Sequence, residues 1–246
     1  MSMTHDASTL PGFGRPPRFG HAARSVKYTL RALALMLGYP DERLRGLLPD
    51  LVCAIDGEAA LPALRREEIQ ALVADLLRVD PLEAEARYVE LFDGGRSTSL
   101  HLFEHVHGDS RERGPARVDL AKTYASAGLH LEGRELPDHL CVVLEFASTQ
   151  PPKVAKAFLG EMAHIVQAIF SALRQRDSAY ATLLAAVLEL AGHKVEAVPV
   201  VPDESLDATW AEPEAFGGCS TQGQAGPGQP QPIQIVRRPA PQGEPA

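Results

Sequence analysis

YVELFDGGRSTSLHLFEHVHGDSRERG (residues 88–114) and ELPDHLCVVLEFAS (135–148) decide the fold. Their apolar residues recur every three to four positions, and glycines interrupt them. This is the mark of short helices stopped at Gly94-Gly95 and Gly108, not of alternating strands. The block from Tyr88 to Ser148 also gathers histidines, carboxylates and arginines among aromatic side chains. It holds no nucleophile elbow, phosphate loop or cysteine pair. A polar-aromatic cluster without catalytic spacing reads first as a recognition surface.

The helical pattern extends in both directions. Leu30, Leu33, Ala34 and Leu37 form one stripe, stopped by Gly38. A second helix is predicted from Asp41 to about Ile55, with Pro49 a candidate break. A third, from Glu67 to Arg78, places Ile69, Leu72, Val73, Leu76 and Leu77 on one side. Asp80 is a suitable N-cap and Pro81 a suitable first residue for the helix that carries Tyr88 and Phe92. Ser97 or Thr98 can cap a short helix to His107. Helices follow over Pro115–Ala127, closed by Gly128, and over Pro137–Ala147. A long one is predicted over Lys153–Arg176 and a last one over Ser178–Ala191, ended by Gly192. No useful strand pattern interrupts them, so the expected fold is all-α, a single bundle-like domain of roughly nine helices.

The expected organisation is a flexible lead (1–22), a helical domain (23–200) and a disordered tail (203–246) rich in Pro, Gly and Gln. TWAEPEAF (209–216) and PIQIVRR (232–238) are the apolar pieces in that tail.

The chain has 246 residues, 45% of them hydrophobic, and a formal net charge of -8. That balance disfavours nucleic acid and anionic membranes as partners. Cys53, Cys141 and Cys219 lie far apart, which predicts neither a disulfide scaffold nor a zinc ribbon and fits a reducing, cytoplasmic compartment. The N-terminal residues show no apolar signal core, and no apolar run is long enough for a membrane helix.

The sharpest enzymatic reading is a di-metal bundle. Glu104…His107 and Glu161…His164 have Glu-x-x-His spacing, and Glu90 and Glu145 could complete a set. At about 100° per residue, however, His164 lies roughly 150° from the apolar face of its helix, whose centre runs through Phe158, Met162, Ile165 and Ile169. His101 and His105 share a helix face but lack the companion residues of a zinc protease. On a helix from Leu100 to His107, Leu100, Phe103 and Val106 can face inward, while His101, Glu104 and His105 face outward together. Phe92 and Leu102 offer apolar walls, and Arg111, Glu112 and Arg113 a charged rim. That mix suits a groove for an amphipathic helix. Tyr88, Phe92 and Phe103 are equally candidates for the core. Pro137 and Asp138 fit an ordinary helix start.

LRALALMLGYPDE (30–42), YVELFDGGRSTSLHLFEHVHGDSRERG (88–114), VDL (118–120), AGL (127–129) and ELPDHLCVVLEF (135–146) together resemble the NarJ-type chaperones, the assembly factor or delta subunit of respiratory nitrate reductase. The resemblance runs over most of residues 25–200, and WAEPEAFGGC and QPIQIVRR in the tail look similar too. It implies an all-helical, non-enzymatic, cytoplasmic protein without a cofactor of its own. Its implied partner is the N-terminal segment of the apo alpha subunit, kept competent for insertion of iron–sulfur clusters and the molybdenum cofactor. Proteins of molybdenum cofactor biosynthesis are further implied partners. The family's Tyr-x-x-Leu-Phe motif falls on Tyr88, Leu91 and Phe92, and its Glu-x-Pro-Asp-His motif on Glu135, Pro137, Asp138 and His139, the expected hinge. Pro115 departs from the pattern. The expected client contacts are Tyr88, Leu91, Phe92, His101, Phe103, Glu104, His105, His107 and Arg113. The alternatives are a metal-dependent enzyme built on the same His and Glu residues, and a TorD-like chaperone for another molybdoenzyme.

Overall fold

The computed structural model describes residues 25–108, 110–131 and 135–199. The expected lead (1–22) and tail (203–246), with its two apolar pieces, lie outside the described residues. Ten α-helices account for nearly all regular structure among those described: α1 (Lys27–Met36), α2 (Glu42–Glu58), α3 (Ala63–Arg78), α4 (Pro81–Phe92), α5 (Leu102–His107), α6 (Arg113–Ser126), α7 (Leu140–Thr149), α8 (Pro152–Glu161), α9 (Ala163–Gln175) and α10 (Ala181–Ala191). A 3-10 turn covers Arg96–Thr98. The all-α class stands.

The core is organised around α10, which is buried almost all round through Leu183, Leu184, Ala185, Ala186, Val187 and Leu188. A helix apolar on every side belongs at a centre. It packs against α9, α8 and α3, while α1 packs against α7 and α2. The predicted stripe of α1 is fully enclosed: Leu30, Leu33 and Leu37 are all buried. The first N–H groups of α1 find a cap from a distance, because the Glu58 carboxylate at the end of α2 accepts from Tyr28 N–H (3.3 Å) and Thr29 N–H (2.7 Å). Burial pushes the Glu58 pKa up, but the hydrogen bonds from Ser25, Thr29 and the two amides outweigh it, and the net is a lowered value.

Several starts and stops follow local chemistry. Asp80 accepts from Leu82 N–H (3.0 Å) and Glu83 N–H (3.3 Å), with Pro81 as first helical residue. Gly192 takes φ +81°, the left-handed conformation that ends α10.

Three expectations are corrected. Pro49 does not split α2, which runs through it on an exposed side. α3 begins at Ala63, earlier than Glu67. The long helix predicted over Lys153–Arg176 is two helices meeting at Met162 (φ -97°, ψ -1°). Met162 N–H turns back to Leu159 O (3.2 Å), a tighter closure than α-helical. The break lets the two halves face different partners. Ile165 and Ile169 enter the main core, whereas Phe158 and Met162 also edge a small second cluster of Leu120, Tyr124 and Phe146. Pro115, the departure noted in the sequence, lies in the first turn of α6, where its missing N–H costs nothing.

No helix among the described residues is long and apolar enough to cross a membrane.

Candidate functional site

The site forms where two stretches some thirty-five residues apart cross. Residues 99–101 run in extended conformation before α5, and residues 135–139 make a turn before α7. They meet in one isolated antiparallel bridge between His101 and His139. Leu140 N–H donates to Leu100 O (2.9 Å) and Leu102 N–H to Asp138 O (3.0 Å). This crossing is why α5 starts at Leu102, not at Leu100. It corrects the predicted faces of α5. Leu102 is the buried residue, Phe103 is half-buried, and Val106 is 52% exposed.

Asp138 is the centre. It is 0% exposed, and its carboxylate accepts from Arg117 Nε (2.7 Å) and from Phe103 N–H (3.2 Å). His101 Nδ1 lies 4.0 Å from the same carboxylate. Pro137 and Asp138 therefore precede α7 and are not its first turn. The cap of α7 is His139, whose Nδ1 accepts from Cys141 N–H (3.4 Å). Burial lowers the His139 pKa, and the neighbouring His101 ring, 4.9 Å away centroid to centroid, lowers it further.

A second carboxylate flanks the first. Glu104 accepts from Ser99 Oγ (2.5 Å) and is paired with Arg113. Burial pushes its pKa up, but Ser99 and Arg113 more than reverse this, leaving it below the usual carboxylate value. Arg113 and Arg117 stand one turn apart on α6, so one helix face supplies a cation to each carboxylate. On the same face, Tyr124 OH donates to Pro137 O (2.9 Å).

Of the predicted client residues, His101, Phe103, Glu104 and Arg113 are thus brought together with the hinge residues Asp138 and His139. His105 belongs to the same corner, half-buried with Nε2 2.8 Å from Ser99 O. His107 stacks edge-on against Phe103 (5.8 Å). Glu135 is exposed on the turn, and Pro137 is half-buried. Tyr88 and Phe92 lie elsewhere. Both are buried in the main core, packed with Tyr180, and Tyr88 OH donates to Leu37 O (2.7 Å). Leu91 is half-buried and lines a cavity of about 610 Å³ with Leu72, Leu76, Val79 and Tyr180.

Ser99, Arg117 and Tyr124 were not anticipated. Arg117 pairs with Arg113 at i, i+4 only because α6 starts at Arg113 and not at Pro115 as predicted. Ser99 acts locally, on Glu104 and His101 N–H, whereas Tyr124 reaches Pro137 O on the next segment, a contact that local spacing does not announce.

Chemically the site offers hydrogen-bond donors and charge. His101 Nδ1, Arg113 Nε and Arg117 Nη2 are buried without a hydrogen-bond partner. Among the described residues no group of three His, Cys, Asp or Glu side chains is arranged for a metal ion. Glu161 and His164, which the metal reading placed on one helix, fall on α8 and α9, and both are exposed.

The family described as "Nitrate reductase delta subunit" matches residues 58–186. The chain is 41% identical over 198 residues to "Nitrate reductase molybdenum cofactor assembly chaperone NarJ" of Escherichia coli (strain K12), covering 75% of this chain and 84% of that one. It is 36% identical over 193 residues to "Probable nitrate reductase molybdenum cofactor assembly chaperone NarW" of the same strain (74% and 80%). It is 32% identical over 162 residues to "Probable nitrate reductase molybdenum cofactor assembly chaperone NarJ" of Bacillus subtilis (strain 168) (65% and 86%).

Proposed function

The chain belongs to the nitrate reductase delta subunit family, the relatives reported above are named assembly chaperones, and on that premise we propose that it is a chaperone that serves the catalytic alpha subunit of a respiratory nitrate reductase. It binds the N-terminal segment of the apo subunit in the cytoplasm and holds it competent for insertion of iron–sulfur clusters and the molybdenum cofactor. It acts alongside the proteins that make that cofactor and leaves before the enzyme reaches its final membrane complex.

The observation that carries this reading is the reach of the family match. It spans 58–186 and so includes both stretches that cross at Asp138. The chemistry of the crossing supports it as well. Half-buried Phe103, His101 and His105 beside two carboxylates make a surface that takes a helical peptide through an apolar anchor and charged neighbours. Tyr88 and Phe92 contribute from the main core, where they are fixed against Tyr180, and Leu91 lines the cavity beside them.

The test is made in the organism that carries the chain. Nitrate reductase alpha subunit purified from cells lacking this protein is expected to be depleted in molybdenum, and restoring the chain restores the metal. A tagged chain is expected to retain the apo subunit and to lose it when the subunit's N-terminal segment is removed. Full molybdenum content in the absence of the chain overturns the reading.

A further inference from the structure

α6 is held differently from the helices of the main core. Of its fourteen residues only Leu120 and Tyr124 are buried. Its backbone lies close to α5 and to no other helix to a comparable degree. Leu120 and Tyr124 join the small second cluster with Phe146, edged by Phe103, Val142, Phe158 and Met162. The remaining attachments are polar: Arg113 to Glu104, Arg117 to Asp138 and Tyr124 OH to Pro137 O. These attachments are incompletely satisfied. Arg113 Nε, Arg117 Nη2 and the adjacent His101 Nδ1 are buried with no partner, an uncommon state for buried polar groups. Glycines with positive φ, Gly108 (φ +53°) and Gly128 (φ +79°), stand on either side of the helix.

The four residues by which α6 grips its seat are Arg113, Arg117, Leu120 and Tyr124. Their spacing, i, i+4, i+7 and i+11, is that of an amphipathic helix read by a groove. The seat beneath has a matching order: Glu104 and fully buried Asp138 first, then an aromatic cluster in which Tyr124 lies 4.6 Å from Phe146 and Phe146 lies 4.9 Å from Phe158.

We propose that α6 is the resident occupant of the client-binding surface and that a basic amphipathic helix of the client displaces it. The claim rests on the chaperone reading above and adds the surface and the partner's chemistry. The incoming helix places two cations one turn apart on Glu104 and Asp138. An apolar and an aromatic side chain follow in the register of Leu120 and Tyr124. The cations are required, because a carboxylate as buried as Asp138 cannot release Arg117 without a replacement charge. The chain's net charge of -8 favours approach of such a helix. An uncharged apolar helix meets the aromatic half of the seat and leaves Asp138 unpaired.

The experiment is hydrogen–deuterium exchange of the full-length chain, read by mass spectrometry. It is run free and with a synthetic peptide of the N-terminal segment of the same organism's nitrate reductase alpha subunit. The expected result is faster exchange of α6 amides on adding peptide, with slower exchange in α5 and α7 and no change in α10. Loosening the resident helix raises the fraction of open seats, so Arg117→Ala is expected to tighten peptide affinity about tenfold and to speed α6 exchange in the free protein. Arg117→Lys, which keeps the charge, stays near the unmodified chain. Tyr124→Phe, which removes only the hydrogen bond to Pro137 O, shifts both readouts in the direction of Arg117→Ala by less and covers the case in which that variant fails to fold. If peptide binds while α6 remains as protected as before, the displacement claim falls and the chaperone reading stands. If neither the unmodified chain nor either loosened variant binds peptide, both fall.

Discussion

Asp138 is where the two motif stretches become one site. It takes an N–H from the first turn of α5 and a guanidinium from α6 while contributing its own carbonyl to Leu102. Removing a buried partner costs far more than an exposed pair gains. Asp138→Ala is therefore expected to lower unfolding free energy by about 3–5 kcal/mol in urea denaturation. Asp138→Asn loses less, because its amide oxygen still accepts from Phe103 N–H. His139 sets the pH response. Its folded pKa lies below the unfolded value of about 6.5, so the unfolded chain binds the extra proton and stability falls as pH drops below about 6.5. Glu104 has a lowered folded pKa and adds a second, later loss as pH falls below about 4.3. Thermal midpoints measured from pH 8 downward are expected to show the first step in the unmodified chain. His139→Asn, which keeps a capping acceptor but cannot titrate, is expected to abolish that step and leave the second.

Among the elements, what local chemistry dictates was legible and what the rest of the chain dictates was not. The Asp80 cap with Pro81, the stripe of α1 and the glycine stop of α10 are properties of a few neighbouring residues, and each was read correctly. The start of α5 was misread because Leu100 and His101 are committed to the segment before α7, a partner invisible to spacing. Glu-Leu-Pro-Asp-His looked like a helix start for the same reason, since Asp138 has the right type for a first turn but its carboxylate is used across the chain. The break at Met162 has no proline to announce it and follows from two apolar clusters demanding different faces. Pro49 is the opposite case, a local breaker overruled by the packing of Leu44, Leu48 and Ile55 on the far side of α2. Because Pro49 is exposed and interior, Pro49→Ala is expected to raise stability by up to about 3 kcal/mol without altering client binding, measured by urea denaturation and peptide titration.

For the molecule as a whole, the division of labour is between a main core and a corner. Tyr88 and Phe92, which periodicity could assign to either, belong to the core with Tyr180. His101, Phe103, Glu104 and His105 belong to the corner, half-buried beside fully buried Asp138 and a small buried aromatic cluster. The family motifs thus serve two purposes, fixing α4 in the main core and forming the crossing proposed as the client surface. This corner is proposed to bind the client's N-terminal helix. Isothermal titration of the alpha subunit's N-terminal peptide into the full-length chain measures that binding. Saturable one-site binding, weakened at least about tenfold by His101→Ala combined with Glu104→Ala, is the predicted result. Unchanged affinity in that double variant, with the fold intact, would contradict it.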